Sequence, residues 1–160
     1  MVIKVMMAEW KTARAPDSLK TSGLGSCVAV IIYDPFMKMA GMGHVMLPSS
    51  EMDRSPSLKT GKYADTAIFS IVEALRIAGA NSSRFIAKLV GGAQMFGFKS
   101  SAHLPPIGTR NVEACLRGLK AYNIPVVLQE TGGTNGRTVE FFCEDGTISI
   151  RTVNQGVKVV

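Results

Sequence analysis

TSGLGSCVAVIIYDPFMKMAGMGHVML, residues 21–47, reads as a glycine-rich loop, a buried strand, a tight turn and a second strand. Runs such as VAVIIY, short, β-branched and bounded by turn signals, are interior strands. Asp34-Pro35 starts the turn, because proline fixes φ and the preceding aspartate bonds back to the backbone. With the loop placed at Asp34 to Met37, facing residue numbers sum to 71, and Cys27 and His44 meet that sum. Directly opposed residues of an antiparallel pair share a face, with Cβ atoms about 4.5–5.5 Å apart. One turn therefore sets a thiol beside an imidazole. The expectation depends on register, since a slip of one residue sends the two side chains to opposite faces.

A chain of 160 residues, 46% hydrophobic and 19% charged, has the length and composition of one globular domain, taken here as residues 1–160. No apolar run approaches the roughly 18 residues that span a bilayer, so membrane insertion is not expected. The opening MVIKVMMAEW lacks the long apolar core and small-residue cleavage site of a signal peptide, and the cytoplasm is the expected compartment. The formal charge of +6 is spread without a basic block, which argues against nucleic-acid binding and leaves a basic surface suited to an acidic protein partner. Cys27, Cys115 and Cys143 are odd in number and far apart, with no CxxC pair. Neither a disulfide framework nor a structural zinc site fits that spacing. Cys115 and Cys143 read as small packed hydrophobes.

Outward from the hairpin, residues 2–9 read as a strand, joined to Leu19-Lys20-Thr21 by a polar connection through Arg14-Ala15-Pro16-Asp17. Past Pro48 the chain is polar and irregular as far as Gly61. KYADTAIFSIVEALRIAGAN carries apolar residues at helical spacing and stops at Gly79 and Asn81. SRFIAKLVGGA is a strand ending in a glycine pair, and Thr109-Arg110-Asn111 opens a second helix. IPVVLQET, RTVEFFCE and GTISIRTV are three further strands, while the last residues suggest no element. Strands that are apolar on both faces, many hairpins and two helices indicate an α+β or α/β domain around a mixed, largely antiparallel sheet. Two helices are few for two faces, so a three-layer build needs cover from loops or extra strands.

Cys27 follows a loop with two glycines and a serine, in which backbone N–H groups near Gly25 and Ser26 crowd around one point. Such donors stabilise a thiolate and later a tetrahedral oxyanion. An adjacent imidazolium lowers a thiol's pKa, so alkylation of Cys27 is expected to report a value below about 8.5. His44 then protonates a departing amine. Thr21 lies just upstream, where its hydroxyl either orients the ring or satisfies a backbone group. His103, in a proline-rich loop without a nucleophile beside it, reads as a packing histidine. Gly91-Gly92 and the 23–26 loop lack the P-loop lysine pattern and do not indicate nucleotide binding.

Seven blocks in order carry a resemblance over nearly the whole chain: GLGSCVAV (23–30), DP (34–35), HVMLP (44–48), GKYADTA (61–67), GGAQMF (91–96), IGTRN (107–111) and TGG (131–133). The sequence resembles the chemoreceptor glutamine deamidase family of bacterial chemotaxis (CheD). The resemblance implies a single three-layer α/β/α sandwich of the cysteine-hydrolase kind. It also implies a Cys27–His44–Thr21 triad that needs no metal or organic cofactor. The substrates it implies are glutamines on methyl-accepting chemotaxis receptors, converted to glutamate through a thioester with loss of ammonia. An alternative role that it implies is stimulation of a response-regulator phosphatase (CheC-like). Ser22, Glu130 and the His103–Pro106 segment depart from the family's common pattern.

Overall fold

Every residue of Val28–Asp34 and of Met39–Val45 is buried, and these two strands, β4 and β5, form the centre of the structure. The computed structural model describes residues 1–95 and 104–160. β4 and β5 are flanked by β2 (Trp10–Arg14), β6 (Ile86–Gly91) and β7 (Val126–Thr131), in the order β2-β5-β4-β6-β7. A second five-stranded sheet has the order β1-β3-β8-β9-β10. Its members are β1 (Val2–Lys4), β3 (Ser18–Leu24), β8 (Arg137–Phe142), β9 (Ile148–Thr152) and β10 (Gly156–Val159). Among the strands of the described residues, only the β1–β3 and β6–β7 pairs run parallel. The pairing is thus mixed and largely antiparallel, as the hairpin-rich sequence implied.

The helices α1 (Ala64–Ile77) and α2 (Ile107–Ala121) cover one face of the central sheet. Val28, Val30 and Ile32 pack there with Ile68, Ile71, Leu75, Cys115 and Leu119. Ala29, Ile31 and Tyr33 project the other way, into a second core with Leu19, Leu24, Val139, Phe141 and Ile150. Strand alternation thus feeds two cores from one strand. The α+β class holds, but the layer order is helices, sheet, sheet. It departs from the α/β/α order because both helices take the same face and extra strands supply the missing cover. No helix among the described residues is long and apolar enough to cross a membrane.

Two segments differ from their sequence reading. The strand expected over residues 2–9 is only β1, Val2–Lys4; a separate strand of the other sheet, β2, follows at Trp10–Arg14, and the residues leading to Thr21 form β3. Their polar side chains concealed this: Lys20 and Ser22 alternate with buried Leu19 and Thr21 on a strand with one solvated face. β10 is exposed at all four positions, so no burial pattern marks it.

The hairpin register differs as well. Asp34 pairs with Met39 and Ala29 with His44, so facing numbers sum to 73. Asp34 stays in the strand because its carboxylate is buried and held by Arg84, Asn81 N–H, Met37 N–H and Phe36 N–H. Burial alone would raise its pKa, but these donors outweigh it and hold the group at about 2. The loop is therefore Pro35–Lys38, one residue later than expected, with Lys38 at φ +51°. Moving the loop by one changes the sum by two, which preserves the face. Cys27 and His44 share the side turned to the second sheet as diagonal rather than direct neighbours.

Candidate active site

His44 lies near the end of β5, fully buried between the two sheets. Its backbone N–H donates to the Glu9 carbonyl at 2.9 Å and its carbonyl accepts from Ala8 N–H at 3.1 Å. The ring therefore stands on a backbone secured from both sides. Thr21 reaches it from β3 of the other sheet, with Oγ1 at 2.7 Å from His44 Nδ1. The same hydroxyl donates to the Val5 carbonyl at 2.7 Å. A hydroxyl has one proton, so Thr21 is left to accept from His44, which requires the Nδ1–H tautomer. The lone pair then sits on Nε2, a buried atom with no hydrogen-bond partner.

Cys27 stands between β3 and β4 and is partly exposed. The chain reaches it through an irregularity in the β3–β8 ladder between Thr21 and Leu24, at which Gly23 takes φ +71°. Three successive carbonyls of this loop are tied down. Gly25 O accepts from Ala93 N–H at 2.8 Å and Cys27 O from Gly92 N–H at 2.9 Å. Ser26 O accepts from the Asn111 side chain at 3.0 Å. Gly91, at φ +120°, lies so close that a Cβ there would stand 2.2 Å from the Cys27 carbonyl oxygen. The glycine pair that ends β6 thus lets the backbone approach the Cys27 peptide, and no nucleotide is needed to explain it. Gly25 N–H is already given to Gly23 O at 3.1 Å, so it is not a free oxyanion donor.

The expectation of a preformed ion pair is not met. No hydrogen bond joins the Cys27 sulfur to His44 Nε2. Burial pushes the Cys27 thiol up and the His44 imidazolium down. Each group resists ionisation in the resting state, so the pair stands as neutral thiol and neutral imidazole. Alkylation of Cys27 below the usual thiol range is accordingly replaced by the opposite expectation. Cys115 and Cys143 are fully buried, and burial raises them to about 12 and about 11. Both behave as packing residues. His103 lies outside the described residues.

Sequence reasoning missed Asn111 as a site residue. It is fully buried on α2, and its Nδ2 donates to Ser26 O and to Met46 O, each at 3.0 Å. The signal was present in the spacing: Gly108, Asn111, Cys115 and Leu119 form the buried stripe of α2, and asparagine is its polar member.

Comparison with known proteins places these residues in context. The family described as CheD chemotactic sensory transduction matches residues 46–152, beginning two residues after His44. Full-length similarity extends across the site. The chain is 46% identical to the chemoreceptor glutamine deamidase CheD of Bacillus subtilis (strain 168) over 160 residues, covering 100% of this chain and 96% of the relative. It is 45% identical to the chemoreceptor glutamine deamidase CheD of Halalkalibacterium halodurans over 159 residues, 99% of this chain and 98% of the relative. A probable chemoreceptor glutamine deamidase CheD of Caldanaerobacter subterraneus subsp. tengcongensis also matches at 45%, with the same coverage.

Proposed function

Because the chain belongs to the CheD family, we propose that it is a chemoreceptor glutamine deamidase, an amidohydrolase acting through Cys27, His44 and Thr21. The observation that carries this reading is the bare, buried Nε2 of a histidine whose other nitrogen is held by Thr21, on the same face as the partly exposed Cys27.

The chemistry begins from neutral groups. A glutamine amide entering at Cys27 closes the site, and His44 Nε2 takes the thiol proton as sulfur attacks the amide carbon. The oxyanion forms against the backbone N–H groups of Ser26 and Cys27, since that of Gly25 is engaged. The imidazolium returns its proton to the amide nitrogen, the C–N bond breaks and ammonia leaves, giving a thioester. Neutral His44 then removes a proton from water, whose oxygen attacks the thioester. Collapse releases glutamate and the Cys27 thiolate, which regains its proton from His44. The Nδ1–H···Thr21 bond persists through both half-reactions and prevents the ring from turning. Each turnover replaces a neutral amide by a carboxylate on a receptor helix. The whole domain, residues 1–160, acts in the cytoplasm on methyl-accepting receptors.

Ammonia release and a mass gain of about one dalton on receptor peptides test this reading, the size of the gain following from exchange of NH2 for OH. Wild type is expected to show both and Cys27→Ala neither. Undiminished deamidation by Cys27→Ala refutes the thiol mechanism. Docking to a CheC-like phosphatase is a separable role that the family resemblance supports. Full stimulation by Cys27→Ala, with no deamidation by wild type, makes it the chief one.

A further inference from the structure

Among the described residues, two buried side-chain polar atoms lack a partner: His44 Nε2 and Asn111 Oδ1. The first is explained by its proposed use as a base. The second belongs to a residue that touches the same two backbone segments. We infer that Asn111 is a positioning residue for the deamidation, holding the Cys27 loop and the His44 strand in one fixed relation through Ser26 O and Met46 O. The inference rests on Cys27 and His44 being the reacting pair.

The β4–β5 pairing does this only in part. The β4–β5 ladder ends at the Val28–Val45 pair, so that His44, paired with Ala29, lies within it and Cys27 lies one residue beyond its end. Beyond it Met46 N–H and Leu47 N–H turn away to the Lys62 carbonyl, at 2.8 and 3.0 Å. The chains therefore separate at Cys27, whose thiol needs a set distance from the imidazole held inside the ladder. The Asn111 amide bridges this gap from α2, giving both N–H donors of one planar group to carbonyls on the two sides. Both partners are carbonyl oxygens, so the amide orientation is settled: the flipped group would set Oδ1 against two acceptors. The bare Oδ1 is the cost of that arrangement, since an apolar side chain would leave no orphaned atom of its own. α2 is in turn held against the end of the sheet at which Cys27 lies, where a Cβ on Gly108 would collide with the Gly92 and Ala93 carbonyl oxygens at 2.6 and 2.7 Å.

A positioning role and a purely structural one predict different readouts. Asn111→Ala is compared with Cys115→Ala, which opens a cavity on the same helix away from Ser26 and Met46, and with wild type and Cys27→Ala. Asn111→Ala is expected to lower kcat on the order of 10- to 100-fold with KM changed less than about threefold, the effect of a misplaced reacting group. Native-state alkylation of Cys27 by iodoacetamide is expected to quicken at neutral pH, as the released loop exposes the thiol. Cys115→Ala is expected to lose thermal stability while retaining wild-type kcat and Cys27 alkylation. Equal losses of kcat per folded molecule in the two variants, or a change confined to KM, overturn the inference. If Asn111→Ala does not fold, the isosteric Asn111→Asp, which lacks the paired donors, is read by the same criteria. Wild type without deamidase activity refutes the functional reading instead, and the alkylation comparison still judges the Asn111 bridge.

Discussion

Replacing Thr21 by valine removes one hydroxyl and nearly nothing else, which makes it a sensitive probe of the site. Thr21 is 2% exposed and His44 0% exposed, so water does not substitute for the lost bonds. Two buried groups are orphaned: the Val5 carbonyl, which accepted at 2.7 Å, and the His44 Nδ1–H, which lay 2.7 Å from the hydroxyl. At about 1–3 kcal/mol for each unsatisfied buried group, Thr21→Val loses roughly 2–6 kcal/mol of stability. The effect on turnover has a different origin. Without Thr21 the neutral ring is free to carry its proton on Nε2, and that tautomer cannot accept from Cys27. A loss of kcat of about 10- to 100-fold is expected, below or at the low end of the roughly 100- to 10,000-fold that a positioned general base contributes. It remains smaller than the loss in His44→Ala, which removes the base altogether. Urea melts and steady-state ammonia release at a concentration where the variant is folded measure the two effects separately. Thr21→Ser, which retains the hydroxyl, is expected to recover most of the activity. Wild-type kcat in Thr21→Val, or equal inactivity of Thr21→Ser and Thr21→Val, refutes the tautomer argument.

Burial lowers the His44 pKa, so the acid limb of kcat/KM is expected below the ordinary imidazole value of about 6.5. The unfolded chain takes up that proton first as pH falls, so His44 also subtracts stability as pH is lowered through about 6.5. A midpoint above that value contradicts the neutral base. Alkylation of Cys27 should titrate above the usual thiol value of about 8.5, and a midpoint well below it would restore the ion pair. Gly91→Ala combines φ +120° with a Cβ 2.2 Å from the Cys27 carbonyl oxygen. Strain of about 1–2 kcal/mol and overpacking of about 1–3 kcal/mol together predict a clear fall in the urea midpoint. Activity falls with it as the Cys27 peptide is displaced, whereas unchanged melting and activity would contradict the close approach.

What was legible from the amino-acid order is local in origin. The apolar runs of β4 and β5 mark their strands, and Asp34-Pro35 marks the turn between them. The glycine loop before Cys27 singles out that thiol, and strand alternation sets Cys27 and His44 on one face even though the register was off by two. Parity is robust because the turn moved by a whole residue at both ends. The tertiary structure alone decided the rest. Thr21, which the sequence left as either a ring-orienting or a backbone-satisfying hydroxyl, meets His44 Nδ1 because a second sheet carries it there, a contact between strands of different sheets that neither hydrophobic period nor turn chemistry encodes. The resting protonation states depend on burial, which belongs to the assembled layers and not to neighbouring residues: it raises the thiol and lowers the imidazolium. Asn111 is distant from Ser26 and Met46 in sequence, and only the packing of α2 against the end of the β4–β5 ladder makes its amide their common donor.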